Sequence, residues 1–215
     1  MRLHWAVVAS CCASWADMLD PDATLALAER IAEEATRLEL KTALIGAAAL
    51  AVHGYTRGTE DIDLGVAVDP RVQLLELDAV LVARGFRTRL RLPDDDDPLG
   101  GVLSVWAAED EDGVPADAVE VVNFRNPWNP VATPGPTAIA RAQALPDSAL
   151  RCVTLPDLVA LKLYAGGLGD QADIVQLLAR NPDVHLPEVR AAAAPFDREG
   201  KLESLIEQAT RLRDG

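Results

Sequence analysis

Apolar positions along this chain change period several times, and the changes mark out its elements. In PDATLALAERIAEEATRLELK, residues 21–41, Leu25, Ala28, Ile31, Ala32, Ala35 and Leu38 form a stripe at helical spacing, which predicts an amphipathic helix with Asp22 as its N-cap. TALIG then reads as a short buried strand, AAALAVHG as a short helix closed by Gly54, and DIDLGVAV as a second strand. RVQLLELDAVLVARG predicts another glycine-ended helix, and FRTRLRL alternates as a strand. PDDDDPLGG is an acidic loop, because two prolines and four aspartates exclude a regular element. VLSVWAA and AVEVVNF, separated by the turn-rich EDEDGVPAD, are most simply a hairpin. After the proline-rich RNPWNPVATPGPT, everything from about residue 137 reads as helix: TAIARAQAL, TLPDLVALKLYAG, DQADIVQLLAR, LPEVRAAAA and KLESLIEQATRL.

The expected fold is therefore α/β in the α+β sense, a mixed sheet with flanking helices and a C-terminal helical bundle. Residues 1–40 form an N-terminal segment and first helix, 41–126 the α/β core, and 137–215 a helical region folded as one compact unit with that core. No internal repeat is evident.

Composition narrows the function classes. A formal charge of −14 over 215 residues excludes a protein that holds nucleic acid by passive charge alone. Most basic residues are arginines, the lysines being Lys41, Lys162 and Lys201. Three cysteines, two of them adjacent, give no disulfide framework, so a reducing cytoplasm is the simplest reading. His4, His53 and His185 lack metal-ligand spacing. The opening RLHWAVVASCCASWA carries minimal charge and a short apolar run, weak features for an export signal, and Met18 is an alternative start. No run approaches the ~18 apolar residues of a spanning helix, so no membrane is expected.

The chemistry lies in GYTRGTEDIDLGV. Alternation in a strand turns Asp61 and Asp63 to one face and Ile62 and Leu64 to the other. Two anions roughly 6.5–7 Å apart repel each other and gain nothing from packing. Hard divalent cations, Mg²⁺ or Mn²⁺, take oxygen ligands and bind through one or two carboxylates plus substrate phosphates. A third acid on the AVEVVNF strand would complete such a site, with Glu120 the choice and Asp117 the alternative. Upstream, Gly46 leads a strand into a helix, where free N–H groups, including that of Ala47, suit a triphosphate. Lys162 has Leu158, Val159, Ala165 and Gly166 at helical spacing, none of them acidic. It either snorkels to water or points into the cleft as a charge for phosphate. Asp170 reads as an N-cap with Asp173 at N3 on the edge of the apolar face. Arg57 and Thr59, beside the acids, read as nucleotide contacts, and His53 as a packing or capping residue.

The run IGAAALAVHGYTRGTEDIDLGV resembles the signature of the minimal nucleotidyltransferases of the polymerase-β type, most nearly their AbiEii-like and MenT-like toxin group. Gly46, Ala49, Leu50, His53, Gly54, Arg57, Thr59, Asp61 and Asp63 fall on that pattern, and TLPDLVALKLYAGGLGDQADIVQLL resembles the group's downstream helix pair. The resemblance covers residues 40–70 and 150–180. It implies Mg²⁺-dependent transfer of a nucleoside monophosphate from an NTP to an acceptor hydroxyl, on a tRNA 3′ end or a protein, with a toxin–antitoxin or phage-defence partner. Ala47 stands where the family often has Gly or Ser, the third acid is Glu rather than Asp, and GGLGDQADI lacks the group's basic residue. A non-catalytic module on the same fold, such as the neutralising partner of a basic toxin, is the alternative; a metal phosphohydrolase is less supported, for want of a histidine cluster.

Overall fold

The computed structural model describes residues 21–58, 61–109 and 115–215. The readings made above for residues 1–17 and for Thr59 lie outside these. Among the described residues the helices are α1 (Pro21–Arg37), α2 (Gly46–Val52), α3 (Gln73–Ala83), α4 (Gly135–Arg141), α5 (Leu155–Ala165), α6 (Leu168–Arg180), α7 (Leu186–Ala193) and α8 (Lys201–Asp214). The strands are β1 (Ala43–Leu44), β2 (Ile62–Val66), β3 (Arg87–Arg91), β4 (Val102–Trp106), β5 (Ala108–Glu109), β6 (Pro115–Ala116), β7 (Val119–Asn123), β8 (Gln143–Ala144) and β9 (Arg151–Cys152). Seven strands form one mixed sheet in the order β3-β4-β7-β2-β1-β9-β8, and β5 and β6 form a separate ribbon.

Alternation decides which sheet face is dry. Leu64 and Val66 of β2, Val119 and Val121 of β7, and Leu103 and Val105 of β4 are fully buried. α1 packs on β2 and β7, and α3 packs on α1 and β3, with Ile31, Leu74, Leu77 and Leu81 at the contact. Of the stripe expected in α1, Ala28, Ile31, Ala32 and Ala35 are buried, Leu25 is partly buried, and Leu38, also partly buried, lies just past the helix; with α1 starting at Pro21, Asp22 sits in its first turn rather than capping it. On the opposite face of β2, Gly65 lies under Phe124 and Ile139 of α4; a Cβ there would sit 3.2–3.3 Å from those side chains. Toward the start of β2, Asp61 and Asp63 are half-buried.

One expectation needs correcting. The stretch after residue 137 is not all helix, because Gln143–Ala144 and Arg151–Cys152 join the main sheet, β9 pairing in parallel with β1 through Leu44 and Cys152. Two-residue strands are too short to show a period of two, so nothing in QALPDSALRC announced them. The acidic loop is non-regular as expected, yet it is held: Asn126 Nδ2 donates to the carbonyls of Asp94 and Asp97 at 2.8 and 2.7 Å.

Candidate active site

Strand pairing converges the acids. β2 and β7 run parallel with Asp63 opposite Glu120, and β4 runs antiparallel on the other side with Ser104 opposite Glu120. Directly paired residues share a face, so Asp63, Glu120 and Ser104 form a row, and Asp61, two residues before Asp63, joins it. Ligand oxygens of Asp61, Asp63 and Glu120 all lie within 4.8 Å of one another, and all three residues are half-buried. Asp117 sits in a left-handed turn before β7 (φ 54°) and is not part of this cluster. Ser104 Oγ donates to Glu120 Oε1 at 3.3 Å. Sequence reasoning missed Ser104; its signal was a lone hydroxyl on the otherwise apolar VLSVW.

Gly46 is also required by packing against Asp63. Its φ is 57°, and a Cβ there would fall 2.1 Å from Asp63 Oδ2. The glycine makes room for the Asp63 carboxylate, and Ile45 N–H, donating to the Asp63 carbonyl at 3.1 Å, clamps the two segments together. Ala47, the next residue, is buried, and no side chain caps the start of α2.

Lys162 does not snorkel. It is 7% exposed, and its Nζ lies 2.9 Å from Asp170 Oδ1 and 2.8 Å from Asp173 Oδ2. The same Asp173 oxygen takes Arg57 Nε at 3.2 Å. α5 ends at left-handed Gly166, and α6 returns alongside it, bringing both acids to the lysine. Asp170 is not the N-cap of α6, as expected, but its N3 residue, accepting from Gly167 N–H at 3.3 Å, and Asp173 lies one turn further in. His53 is the C-cap of α2; its Nε2 lies 2.8 Å from the Val153 carbonyl, and burial holds its pKa down. Cys152 is buried next to it at 3.9 Å, and that burial pushes its thiol up to about 12, which makes it inert.

Electrostatics fix what the cluster can do. The Asp63 pKa is pushed up to about 6, first by burial and then by the charges of Asp61 and Glu120, against the pull of Lys162 and Arg57. Those two cations are already matched by Asp170 and Asp173, two against two. The three carboxylates thus remain a crowded anionic site made of hard oxygen donors, the donor set that Mg²⁺ or Mn²⁺ takes.

The mixed sheet with its flanking helices is the fold of solved nucleotidyltransferase-like proteins. An antigenic nucleotidyltransferase-like protein from Paracoccidioides brasiliensis is similar over 89% of this chain and 95% of its own, at TM-score 0.50 and 16% identity. The antibiotic-resistance factor ANT(2'')-Ia is similar over 85% and 96%, also at TM-score 0.50 and 16% identity. The nucleotidyltransferase toxin MenT4 of Mycobacterium tuberculosis H37Rv is similar at TM-score 0.46 and 18% identity, over 79% of this chain and 62% of its own. No protein-family model and no curated sequence matches the chain.

Proposed function

We propose that this protein transfers a nucleoside monophosphate from an NTP to an acceptor hydroxyl. The observation that carries the reading is the convergence of Asp61, Asp63 and Glu120, with their oxygens within 4.8 Å. A binding surface gains nothing from crowding three like charges and raising one carboxyl to about 6. A site that holds divalent cations needs that arrangement, which favours catalysis over a non-catalytic module.

Asp61, Asp63 and Glu120 would hold Mg²⁺ or Mn²⁺, which when bound activates the attacking hydroxyl and offsets charge on the leaving pyrophosphate. The remaining roles belong to the chain. Glu120, oriented by Ser104 Oγ, takes the proton of the acceptor hydroxyl as its oxygen attacks the α-phosphorus. The bond from that phosphorus to the bridging oxygen breaks, and pyrophosphate leaves. The triphosphate would lie toward the turn of Gly46 and Ala47 and the basic wall of Arg57 and Lys162 braced by Asp173, and Thr59, two residues after Arg57 in the sequence, is a further contact in this reading. The acceptor is the 3′ end of a tRNA or a protein hydroxyl, and the cytoplasmic setting is that of a toxin–antitoxin or phage-defence pair.

Incubation with each α-labelled NTP and Mg²⁺, with total tRNA in one arm and a cell protein fraction in the other, tests this. Label should enter one acceptor class, and Asp61→Asn or Asp63→Asn should cut transfer by roughly a hundredfold or more with the fold intact. Retained transfer in either variant would remove the metal assignment, and no transfer with any NTP would remove the activity.

A further inference from the structure

Lys162 and Arg57 both stand near Asp63, but they are not equivalent. Lys162 is 7% exposed and has two carboxylates on its ammonium, at 2.9 and 2.8 Å. Arg57 has a side chain 43% exposed and meets Asp173 through Nε, at 3.2 Å. The far end of the guanidinium has one long contact, Nη1 donating to the neighbouring Gly58 carbonyl at 3.5 Å. One oxygen, Asp173 Oδ2, carries both cations. Asp173 is itself 5% exposed in its side chain, so removing a cation from it would strand a buried carboxylate.

We infer that Lys162 is a positioning residue, and that Arg57 is the cation that contacts the triphosphate. Lys162 fixes Asp173, and Asp173 fixes Arg57 through Nε, holding a guanidinium that stays partly exposed near Asp63. A guanidinium fork matches two phosphate oxygens at once, whereas a buried ammonium already shared by two carboxylates has its charge committed. Asp170 completes the balance, so that one buried lysine does not leave Asp173 as a shared anion with two unequal claims. This assignment rests on the nucleotidyl-transfer reading and divides the labour within it: the lysine acts through the arginine.

The test is a double-substitution cycle read by calorimetric titration with each NTP and its matching NMP, in Mg²⁺. Arg57→Gln and Lys162→Met should each weaken NTP binding roughly ten- to hundredfold, the range of one or two charge-assisted hydrogen bonds, while NMP binding changes far less. The variant carrying both should bind NTP no more weakly than Arg57→Gln alone, within about twofold of it. A further loss of about tenfold on adding Lys162→Met to Arg57→Gln would place the ammonium on the phosphates and overturn the inference. If Lys162→Met fails to fold, because it strands two buried acids, Asp173→Asn carries the same test. It should weaken NTP binding in the wild-type background and have no effect beside Arg57→Gln; tighter NTP binding in Asp173→Asn would overturn the inference instead. A wild type that binds no NTP overturns the nucleotidyl-transfer reading itself, an outcome distinct from a cycle that shows independent effects.

Discussion

Asp63 holds the most telling position at the scale of single residues. Its carboxyl is raised from an ordinary 3.8 to about 6 in the folded protein, a gap of about two units, or roughly 3 kcal/mol favouring the protonated form. For an acid raised on folding, the contribution is fully present below the unfolded value and is lost as pH climbs through the folded one. The metal-free protein should therefore lose stability between about pH 4 and pH 7 through this group. Asp63→Asn should flatten that part of the pH profile and melt higher than the wild type at pH 8, by about 5 °C or more. Melts of the two proteins in chelator at pH 5 and pH 8 check it, and a variant that melts lower at pH 8 would give Asp63 a structural role. Gly46 makes the complementary case. Gly46→Ala puts a methyl 2.1 Å from Asp63 Oδ2 at a φ of 57°, so it should cost about 2 kcal/mol or more and displace the carboxylate, with transfer falling alongside stability. The D-x-D pair was legible because two same-face acids have no packing reason to exist. The purpose of Gly46 was not, since the carboxylate it accommodates lies 17 positions away.

At the scale of elements, strand alternation and helical stripes were legible in most of the longer segments, though the helix expected over 137–145 gives way to β8 after Arg141. β2, β3, β4 and β7 lie within the expected runs, as do α1, α3, α5 and α7, while α6 starts two residues before its run and α8 ends two residues after its own. Misses came where local rules have no reach. β8 and β9 are two residues each, and the partners of Lys162 arrive from the next helix, beyond any i±4 count on its own. Glu120 could be chosen from its strand but not separated from Asp117, because only register shows which acid stands opposite Asp63. The end of β7 depends on another such long-range pairing. Asn123 is fully buried; its Oδ1 accepts from Val68 N–H at 3.0 Å and Arg125 N–H at 3.2 Å, and its Nδ2 donates to the Val68 and Gly100 carbonyls at 3.1 and 3.0 Å. Asn123→Leu strands these backbone groups and should destabilise by about 3 kcal/mol or more, measured by urea unfolding. A change below 1 kcal/mol would mean that water replaces the amide.

At the scale of the molecule, the sheet binds the C-terminal helices to the core. β9 pairs with β1, His53 reaches the Val153 carbonyl, and Asn181 Nδ2 donates to the His53 carbonyl at 2.9 Å. Residues 41–126 alone would lose the β1–β9 pairing and expose Leu44 and Leu50, so that fragment should show no cooperative melt by circular dichroism. A cooperative melt would make it an independent domain. The same unity places Arg57, Lys162 and Asp173 beside the acid row, joining segments more than 100 residues apart into one site.

The central claim is that the acid row exists to hold a divalent cation with a nucleotide, and ligand-dependent melting tests it most directly. Mg²⁺ with NTP, each at about a hundredfold over its dissociation constant, should stabilise the wild type by about 2–3 kcal/mol, since only the folded state binds. That corresponds to a rise in Tm of roughly 5–10 °C for a chain of this size. The same addition should leave Asp63→Asn within about 1 °C of its ligand-free value. Equal stabilisation of both proteins, or of neither, would contradict the account.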